Sequence, residues 1–272
     1  MELLNHTTYI NGEKNPWVVF LHGAGGSIAT WNKQLDAYKP HFNLLLIDLR
    51  DHGKSKNIYP PLDRYSFEMV SYDIKKVLDN VGVSYAHFVT LSFGSILMQD
   101  YAMRFAHTID KIVVVGGVFS GSFWIRAFVF TARFFNIFLS YRQMYSIFSY
   151  VLMPYRRNQI ARKVYQKNAT QLTQKEYLKW VGLYYEFFNL LKTYHERTSD
   201  HNMLIIMGGD DYIFLEGAKR IAFQQPHTTL KVLPKVGHIA NIESPTLFND
   251  LSLDFLMPQS ERQATIIPSD TN

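Results

Sequence analysis

The sequence of 272 residues contains no cysteine. This absence excludes a disulfide framework, a thiolate zinc site, an iron–sulfur cluster and a cysteine nucleophile. Charged residues make up only 19% of the chain and apolar residues 47%, which excludes a disordered polymer. The 15 glycines and 10 prolines are also too few for a collagen-like repeat. We therefore expect a globular protein with a sizeable buried core.

Long uninterrupted hydrophobic runs are also absent. The apolar run Phe123–Met153 is divided by Arg126, Arg133 and Arg142 into pieces shorter than the roughly 18 to 20 residues of a transmembrane helix. Residues 1–12 lack the basic segment and apolar run that form a signal peptide. We therefore expect a cytoplasmic protein.

Short apolar runs of strand length recur along the chain, and most of them are continuous. Continuous runs are typical of strands that are buried on both faces of a parallel sheet. Helical patterns separate them at Phe67–Val81, Ser95–Phe105 and Leu215–Phe223, and a last helix begins near Pro245. This alternation predicts an α/β fold, with a mostly parallel central sheet and helices on both faces. The predicted strands are Trp17–Leu21, Leu44–Leu49, His87–Leu91, Ile112–Val115, Met203–Met207 and Thr229–Leu233.

Residues 119–202 interrupt the alternation. They contain 21 of the 41 aromatic residues and carry a net charge of +8, whereas the rest of the chain sums to −3. Helical patterns at Phe123–Phe138 and Tyr177–Tyr194 are rich in Phe and Tyr. We predict a core domain of residues 1–118 and 203–258 with a helical cap inserted at 119–202. The polar residues 259–272 are expected to form a disordered tail.

Ser92 lies directly after a predicted strand and directly before a predicted helix. This context is typical of a nucleophile elbow, in which a sharp turn raises the serine hydroxyl above the edge of the sheet. The alternative is an ordinary helix N-cap, a position at which serine is also favoured.

A glycine-rich turn, His22 to Ser27, follows the first predicted strand. It lacks the Gly-Lys-Ser/Thr of a phosphate loop and the spaced glycines of a dinucleotide site. An oxyanion hole suits the turn better, and we predict that the backbone N–H groups of Ala24 and Phe93 supply its donors.

Two acidic residues and a histidine follow later strands. Asp210 and Asp211 come after Met203–Met207, and His238 comes after Thr229–Leu233. In an open α/β sheet these positions share the carboxyl edge with Ser92, where functional groups gather. The chain order of serine, acid and histidine predicts a catalytic triad, and the order alone does not decide between the two aspartates.

These motifs resemble those of α/β-hydrolase-fold proteins with a helical cap, from about Trp17 to Leu256. Two positions differ from the family pattern, since Thr90 and Asp51 stand where the family has glycine. The spacing of the family's Gly-x-x-Asp motif selects Asp211 as the triad acid. The motifs are His22 to Gly26, Asp48 to Ser55, the turn around Ser92, Gly208 to Asp211 and Gly237 to Pro245.

The resemblance implies that Asp48, Arg50 and His52 form a structural turn beside the site. It also implies a serine hydrolase or esterase that needs neither cofactor nor metal, acting through Ser92, His238 and Asp211. The aromatic cap favours a small apolar acyl or aryl ester as substrate. Candidate pocket residues are Trp124, Phe128, Phe134, Phe135, Trp180, Phe187 and Phe188.

Other functions remain open at this point. The same triad supports lyases, C–C bond hydrolases, acyltransferases and perhydrolases, and a signalling or ligand-receptor protein could keep the triad and turn over slowly. The basic cap could contact an acidic carrier protein or an anionic membrane, although a solvated helical face has the same composition. No nucleic-acid partner is predicted.

Overall fold

The computed structural model describes residues 3–58, 64–121, 123–135, 138–169, 172–196 and 199–257. In these residues seven strands form one sheet in the order β1-β3-β2-β4-β5-β6-β7. Strand β1 pairs antiparallel with β3, and the other neighbours are parallel. The predicted α/β class is confirmed. The strands are β1 His6–Tyr9, β2 Trp17–Leu21, β3 Asn43–Ile47, β4 Ala86–Leu91, β5 Ile109–Val115, β6 Asn202–Gly208 and β7 Thr228–Leu233.

Helices connect the strands and cover the sheet. They are α1 Leu35–Tyr38, α2 Phe67–Val81, α3 Phe93–Phe105, α4 Phe123–Phe135, α5 Tyr141–Leu152, α6 Gln159–Ala169, α7 Gln174–Gly182, α8 Tyr184–His195, α9 Leu215–Gln224, α10 Ala240–Glu243 and α11 Pro245–Leu256. Short 3₁₀ turns lie at Ile28–Trp31, Ala106–Thr108 and Arg156–Asn158. The six strands predicted from the sequence all exist, whereas β1 was not predicted.

Helix α2 shows how local sequence sets the elements. The Ser66 side chain accepts a hydrogen bond from the backbone N–H of Met69, which caps the first turn. Gly82 ends the helix with a φ of 81°, a left-handed conformation that glycine adopts without strain. Between these ends an apolar stripe is buried against the core, and it comprises Val70, Ile74, Val77 and Leu78.

The carboxyl edge of the sheet collects the predicted site residues. Strand β2 ends next to His22 and β4 ends next to Ser92, while β6 and β7 are followed by Asp211 and His238. Residues of β2 to β6 are almost all buried, so this part of the sheet is the rigid centre of the core. The loops at its edge are therefore held on a fixed frame.

Helices α4 to α8 lie between β5 and β6 in the chain, and we call them the inserted helices. The pattern at Tyr177–Tyr194, predicted as one helical stretch, forms two helices that meet at Leu183. The division into a core domain and a cap domain stays a prediction, and the predicted tail at 259–272 lies outside the described residues. No helix in the described part of the chain is long and apolar enough to cross a membrane.

Candidate active site

Ser92 lies on a sharp turn between β4 and α3. Its φ of 51° and ψ of −115° are strained for a residue with a side chain, and its N–H donates a hydrogen bond of 2.9 Å to the Val115 carbonyl. The following turn passes very close to β2: a Cβ on Gly94 would lie 2.8 Å from the Leu21 carbonyl oxygen. Glycine at position 94 therefore allows this tight strand-to-helix turn.

The Ser92 hydroxyl faces a histidine and does not cap α3. Its side chain makes no capping hydrogen bond to the helix. Instead, Ser92 Oγ lies 2.8 Å from His238 Nε2. The geometry thus favours the nucleophile elbow over the ordinary N-cap.

His238 connects Ser92 to Asp211. Its Nδ1 lies 2.7 Å from Asp211 Oδ2, and the second oxygen of Asp211 accepts a hydrogen bond of 3.3 Å from the Phe214 N–H. Both His238 and Asp211 are about 1% exposed, so this pair is shielded from water. Gly116, with a φ of 57°, makes room for the histidine, because a Cβ there would lie 2.4 Å from the His238 carbonyl oxygen.

Asp210 points away from His238. Its two carboxylate oxygens accept hydrogen bonds of 2.7 and 2.8 Å from the Arg157 guanidinium, which belongs to the inserted helical region. The structure therefore separates the two aspartates: Asp211 contacts the histidine and Asp210 contacts the insertion. This contact with Arg157 could not be inferred from the sequence, since the two residues are 53 positions apart.

The predicted oxyanion donors lie beside Ser92. Ala24 and Phe93 line the same cavity as the serine. Among the hydrogen bonds of the described residues, neither backbone N–H has a protein acceptor. The neighbouring N–H of Gly25 is engaged, because it donates to His52 Nε2 at 3.0 Å. This bond orients the glycine-rich turn and leaves Ala24 N–H available for a ligand.

Two buried neutral histidines support this turn. His52 Nδ1 donates to the Arg50 carbonyl at 2.7 Å, while His22 Nε2 accepts from the Leu49 N–H at 3.0 Å. Burial lowers the pKa of His22 to about 4. Burial, with a further contribution from His22, lowers the pKa of His52 to about 3. Both rings therefore remain neutral acceptors at physiological pH.

The Asp48 to Ser55 motif forms the expected structural turn. Asp48 accepts hydrogen bonds from the N–H groups of Ile28 and Lys54, at 2.7 and 2.9 Å. Asp51 replaces the family glycine and adopts a φ of 61°, while its carboxylate accepts a 2.5 Å hydrogen bond from Tyr65. The turn thus accommodates an aspartate where glycine is usual, with this tyrosine as its partner.

A cavity of about 250 Å³ opens above Ser92, between the sheet edge and the inserted helices. Of the predicted pocket residues, Trp180 and Phe187 line it. Phe134 and Phe135 do not: they are 53% and 44% exposed on the outer surface. Phe188 instead packs on Phe187 and Tyr184. The side chains of Trp124 and Phe128 lie outside the described residues.

Sequence reasoning missed Tyr145, which comes from α5. Its ring packs on the glycine-rich turn, so that a Cβ on Gly25 would lie 2.9 Å from it. The side chain is buried and lines the cavity above Ser92. Its register within α5 depends on how the insertion docks, which local patterns do not encode. In the described residues no group of three or more His, Asp or Glu side chains gathers as a metal site.

Two known proteins are similar in sequence to most of this chain. It is 26% identical over 270 residues to 2-hydroxy-6-oxononadienedioate/2-hydroxy-6-oxononatrienedioate hydrolase of a Pseudomonas species, covering 93% of each chain. It is 23% identical over 273 residues to RutD of Acinetobacter baylyi, which carries a provisional name as a carbamate hydrolase; the match covers 93% of this chain and 98% of RutD.

Solved structures and a family model agree on the fold. The enol-lactonase of Burkholderia xenovorans superposes with a TM-score of 0.73 at 20% identity, covering 93% of this chain and 96% of the lactonase. MenH of S. aureus superposes with a TM-score of 0.77 at 18% identity, covering 95% and 98%. The family model of the alpha/beta hydrolase fold matches residues 16–245. The chain therefore belongs to the α/β-hydrolase fold family.

Proposed function

We propose that this protein is a serine hydrolase that cleaves an ester of an apolar carboxylic acid through an acyl-enzyme on Ser92. The observation that carries the proposal is the hydrogen-bonded chain from Ser92 through His238 to Asp211, which opens on an apolar cavity. The nucleophile is within hydrogen-bond distance of the base, and the base is within hydrogen-bond distance of the orienting acid, as this reaction requires.

In the first half-reaction Ser92 Oγ attacks the ester carbonyl carbon. The serine proton passes to His238 Nε2, and Asp211 stabilises the imidazolium and holds Nδ1 protonated. The carbonyl oxygen becomes an oxyanion that the N–H groups of Ala24 and Phe93 stabilise. The carbon–oxygen bond to the alcohol then breaks, and the alcohol oxygen takes the proton from His238.

In the second half-reaction water attacks the acyl-enzyme. His238 accepts a proton from the water, the oxyanion forms again in the same hole, and the bond to Ser92 Oγ breaks. The proton on His238 returns to the serine, and the carboxylic acid leaves. This chain's own residues account for every proton transfer.

The cavity supports an apolar acyl group. Its wall combines Trp180, Phe187 and Phe93 with aliphatic side chains such as Ile96 and Leu183. A sugar or a peptide would lose its hydrogen bonds to water in this cavity, and the wall offers few polar groups to replace them. Both of the relatives reported above are named as hydrolases, which supports hydrolysis as the reaction class.

Covalent labelling combined with turnover tests the proposal. A fluorophosphonate probe should label the wild-type protein and not Ser92→Ala, and methyl and p-nitrophenyl esters should release acid only with the wild type. Far-UV circular dichroism and the melting temperature establish that Ser92→Ala is folded. Full activity in a folded Ser92→Ala protein would refute the assignment. Labelling with negligible turnover would favour the slow-turnover receptor.

We further propose that the inserted helices contact an anionic membrane surface. Phe130, Phe134 and Phe138, here called the aromatic ridge, are 69%, 53% and 70% exposed. The exposed Arg142 follows four residues after the ridge, within the segment that carries the +8 charge. Aromatic rings with basic neighbours suit the interface of an anionic bilayer. The acidity of a carrier protein would match the charge alone, whereas a bilayer interface matches both the charge and the exposed rings.

A further inference from the structure

Two cavities, very different in size, meet at Ser92. The large cavity described above has about 250 Å³, and a second one has about 50 Å³. Ala24, Ser92 and Tyr165 line both of them. A substrate bonded to the serine can therefore extend in two directions, and the ring of Tyr165 lies in the shared wall.

The histidine belongs to the small cavity. His238 lines the small cavity together with Val164 and Leu152, whereas the described wall of the large cavity includes Phe93 and does not include His238. In the proposed mechanism His238 must give its proton to the oxygen of the leaving alcohol. That oxygen has to lie near His238 Nε2, so the carbon chain attached to it continues into the small cavity.

The volumes limit each half of the substrate. If each packed group occupies about 30 Å³, the liquid volume of one water, the small cavity holds roughly two non-hydrogen atoms and the large one roughly eight. We propose, on the basis of the function proposed above, that the substrate is an ester of a large apolar acid with a small alcohol of one or about two carbons. An acetate of a long-chain alcohol would reverse this arrangement.

Two isomeric esters test the proposal with equal apolar surface. Methyl octanoate carries the long chain on the acyl side, and heptyl acetate carries it on the alcohol side. We expect kcat/KM, from pH-stat titration of released acid, to be at least about 10-fold higher for methyl octanoate, because only its chain enters the large cavity. Alkyl alcohols are used because they need the proton of His238, whereas p-nitrophenolate leaves as an anion.

A matched pair of variants assigns the effect to the cavities. Val164→Ala enlarges the small cavity, and Val129→Ala enlarges the large one; both valines are partly buried on inserted helices. Val164→Ala should increase the ratio of kcat/KM for butyl octanoate over methyl octanoate several-fold. Val129→Ala should leave this ratio unchanged and shift the preferred acyl length instead.

Equal rates for the isomers, or a preference for heptyl acetate, would overturn the division of the substrate while leaving the serine-hydrolase proposal intact. The division of the substrate would also be overturned if Val164→Ala and Val129→Ala changed the ratio of kcat/KM for butyl octanoate over methyl octanoate equally. If the wild type hydrolyses neither isomer and Ser92 is not labelled by the fluorophosphonate, the proposed function itself is wrong, and this inference falls with it.

Discussion

Arg157 binds Asp210 through two hydrogen bonds of 2.7 and 2.8 Å, and this pair joins the insertion to the loop that presents Asp211 to His238. The Arg157 side chain is 46% exposed, so the pair contributes modestly to stability. Its effect is geometric, because a bidentate pair restrains both partners. One aspartate of the Asp-Asp sequence thus contacts the insertion, while its neighbour contacts the proposed general base.

The two aspartates should respond very differently to substitution. Asp211→Asn should lower kcat by about 10³ to 10⁴-fold, because an amide cannot stabilise the charged form of His238 or hold its tautomer. Asp210→Asn retains the carbonyl oxygen as an acceptor for Arg157 and should lower kcat by less than about 10-fold. Steady-state kinetics on methyl octanoate measure both effects, with melting temperatures as the folding control. A larger loss of kcat in Asp210→Asn than in Asp211→Asn would contradict the assignment of Asp211 as the residue that orients His238.

The acyl cavity should produce a chain-length optimum. Each buried methylene contributes about 0.8 kcal/mol, so kcat/KM for methyl esters should rise up to about 4-fold per carbon until the cavity is full. Trp180→Ala replaces a large side chain of the cavity wall, so the cavity becomes larger and the preferred acyl chain should become longer. Phe135→Ala, an exposed aromatic on the outside of the insertion, should not move it. A flat profile, or equal shifts in both variants, would contradict an acyl cavity at this position.

Stability should fall as the pH falls below the ordinary histidine range. Burial lowers the folded-state pKa of His22 to about 4 and of His52 to about 3, from 6.5. Above pH 6.5 both rings are mainly neutral in either state, whereas below it the unfolded chain takes up protons first. Each ring then adds a slope of up to about 1.4 kcal/mol per pH unit. Urea unfolding between pH 7 and pH 4.5 measures this loss.

The variant His52→Gln tests the contribution of one of these two histidines, because it removes the protonation of His52. His52→Gln keeps an acceptor for the Gly25 N–H but cannot be protonated, so the pH slope should decrease. The exposed His107→Gln serves as control and should change the slope less. Identical slopes in the wild type and His52→Gln would show that the buried ring does not drive the acid loss.

Membrane contact should depend on the aromatic ridge and on lipid charge. Flotation with vesicles of phosphatidylcholine and phosphatidylglycerol should recover the wild type, and a Phe130→Ser, Phe138→Ser double variant should bind much less. Added salt should weaken binding as well, because it screens the basic residues. Phe223→Ser replaces a 92% exposed phenylalanine on α9, outside the insertion, and should bind like the wild type. If the double variant floats with the vesicles as fully as the wild type does, the aromatic ridge does not mediate membrane contact.

Local sequence patterns predicted most of the core. The apolar runs of β2 to β6 are continuous because these strands are buried inside a mostly parallel sheet, whereas β7 lies at the edge of the sheet and is largely exposed. The period of Val70, Ile74 and Val77 marks a helix packed on the sheet. Strand β1 gave no such signal. It is short, partly exposed and polar in sequence, and it forms through antiparallel pairing with β3 at the sheet edge.

The sequence by itself determined the fold class and the chain order of Ser92, Asp211 and His238, since strand ends and motifs are local properties. Only the tertiary structure decided that Asp210 binds Arg157, and which aromatic side chains face the cavity. Phe135 and Trp180 look alike as aromatic residues of helices, yet one is exposed and the other lines the cavity. Their environments depend on how the inserted helices pack over the sheet, through contacts between residues far apart in the chain.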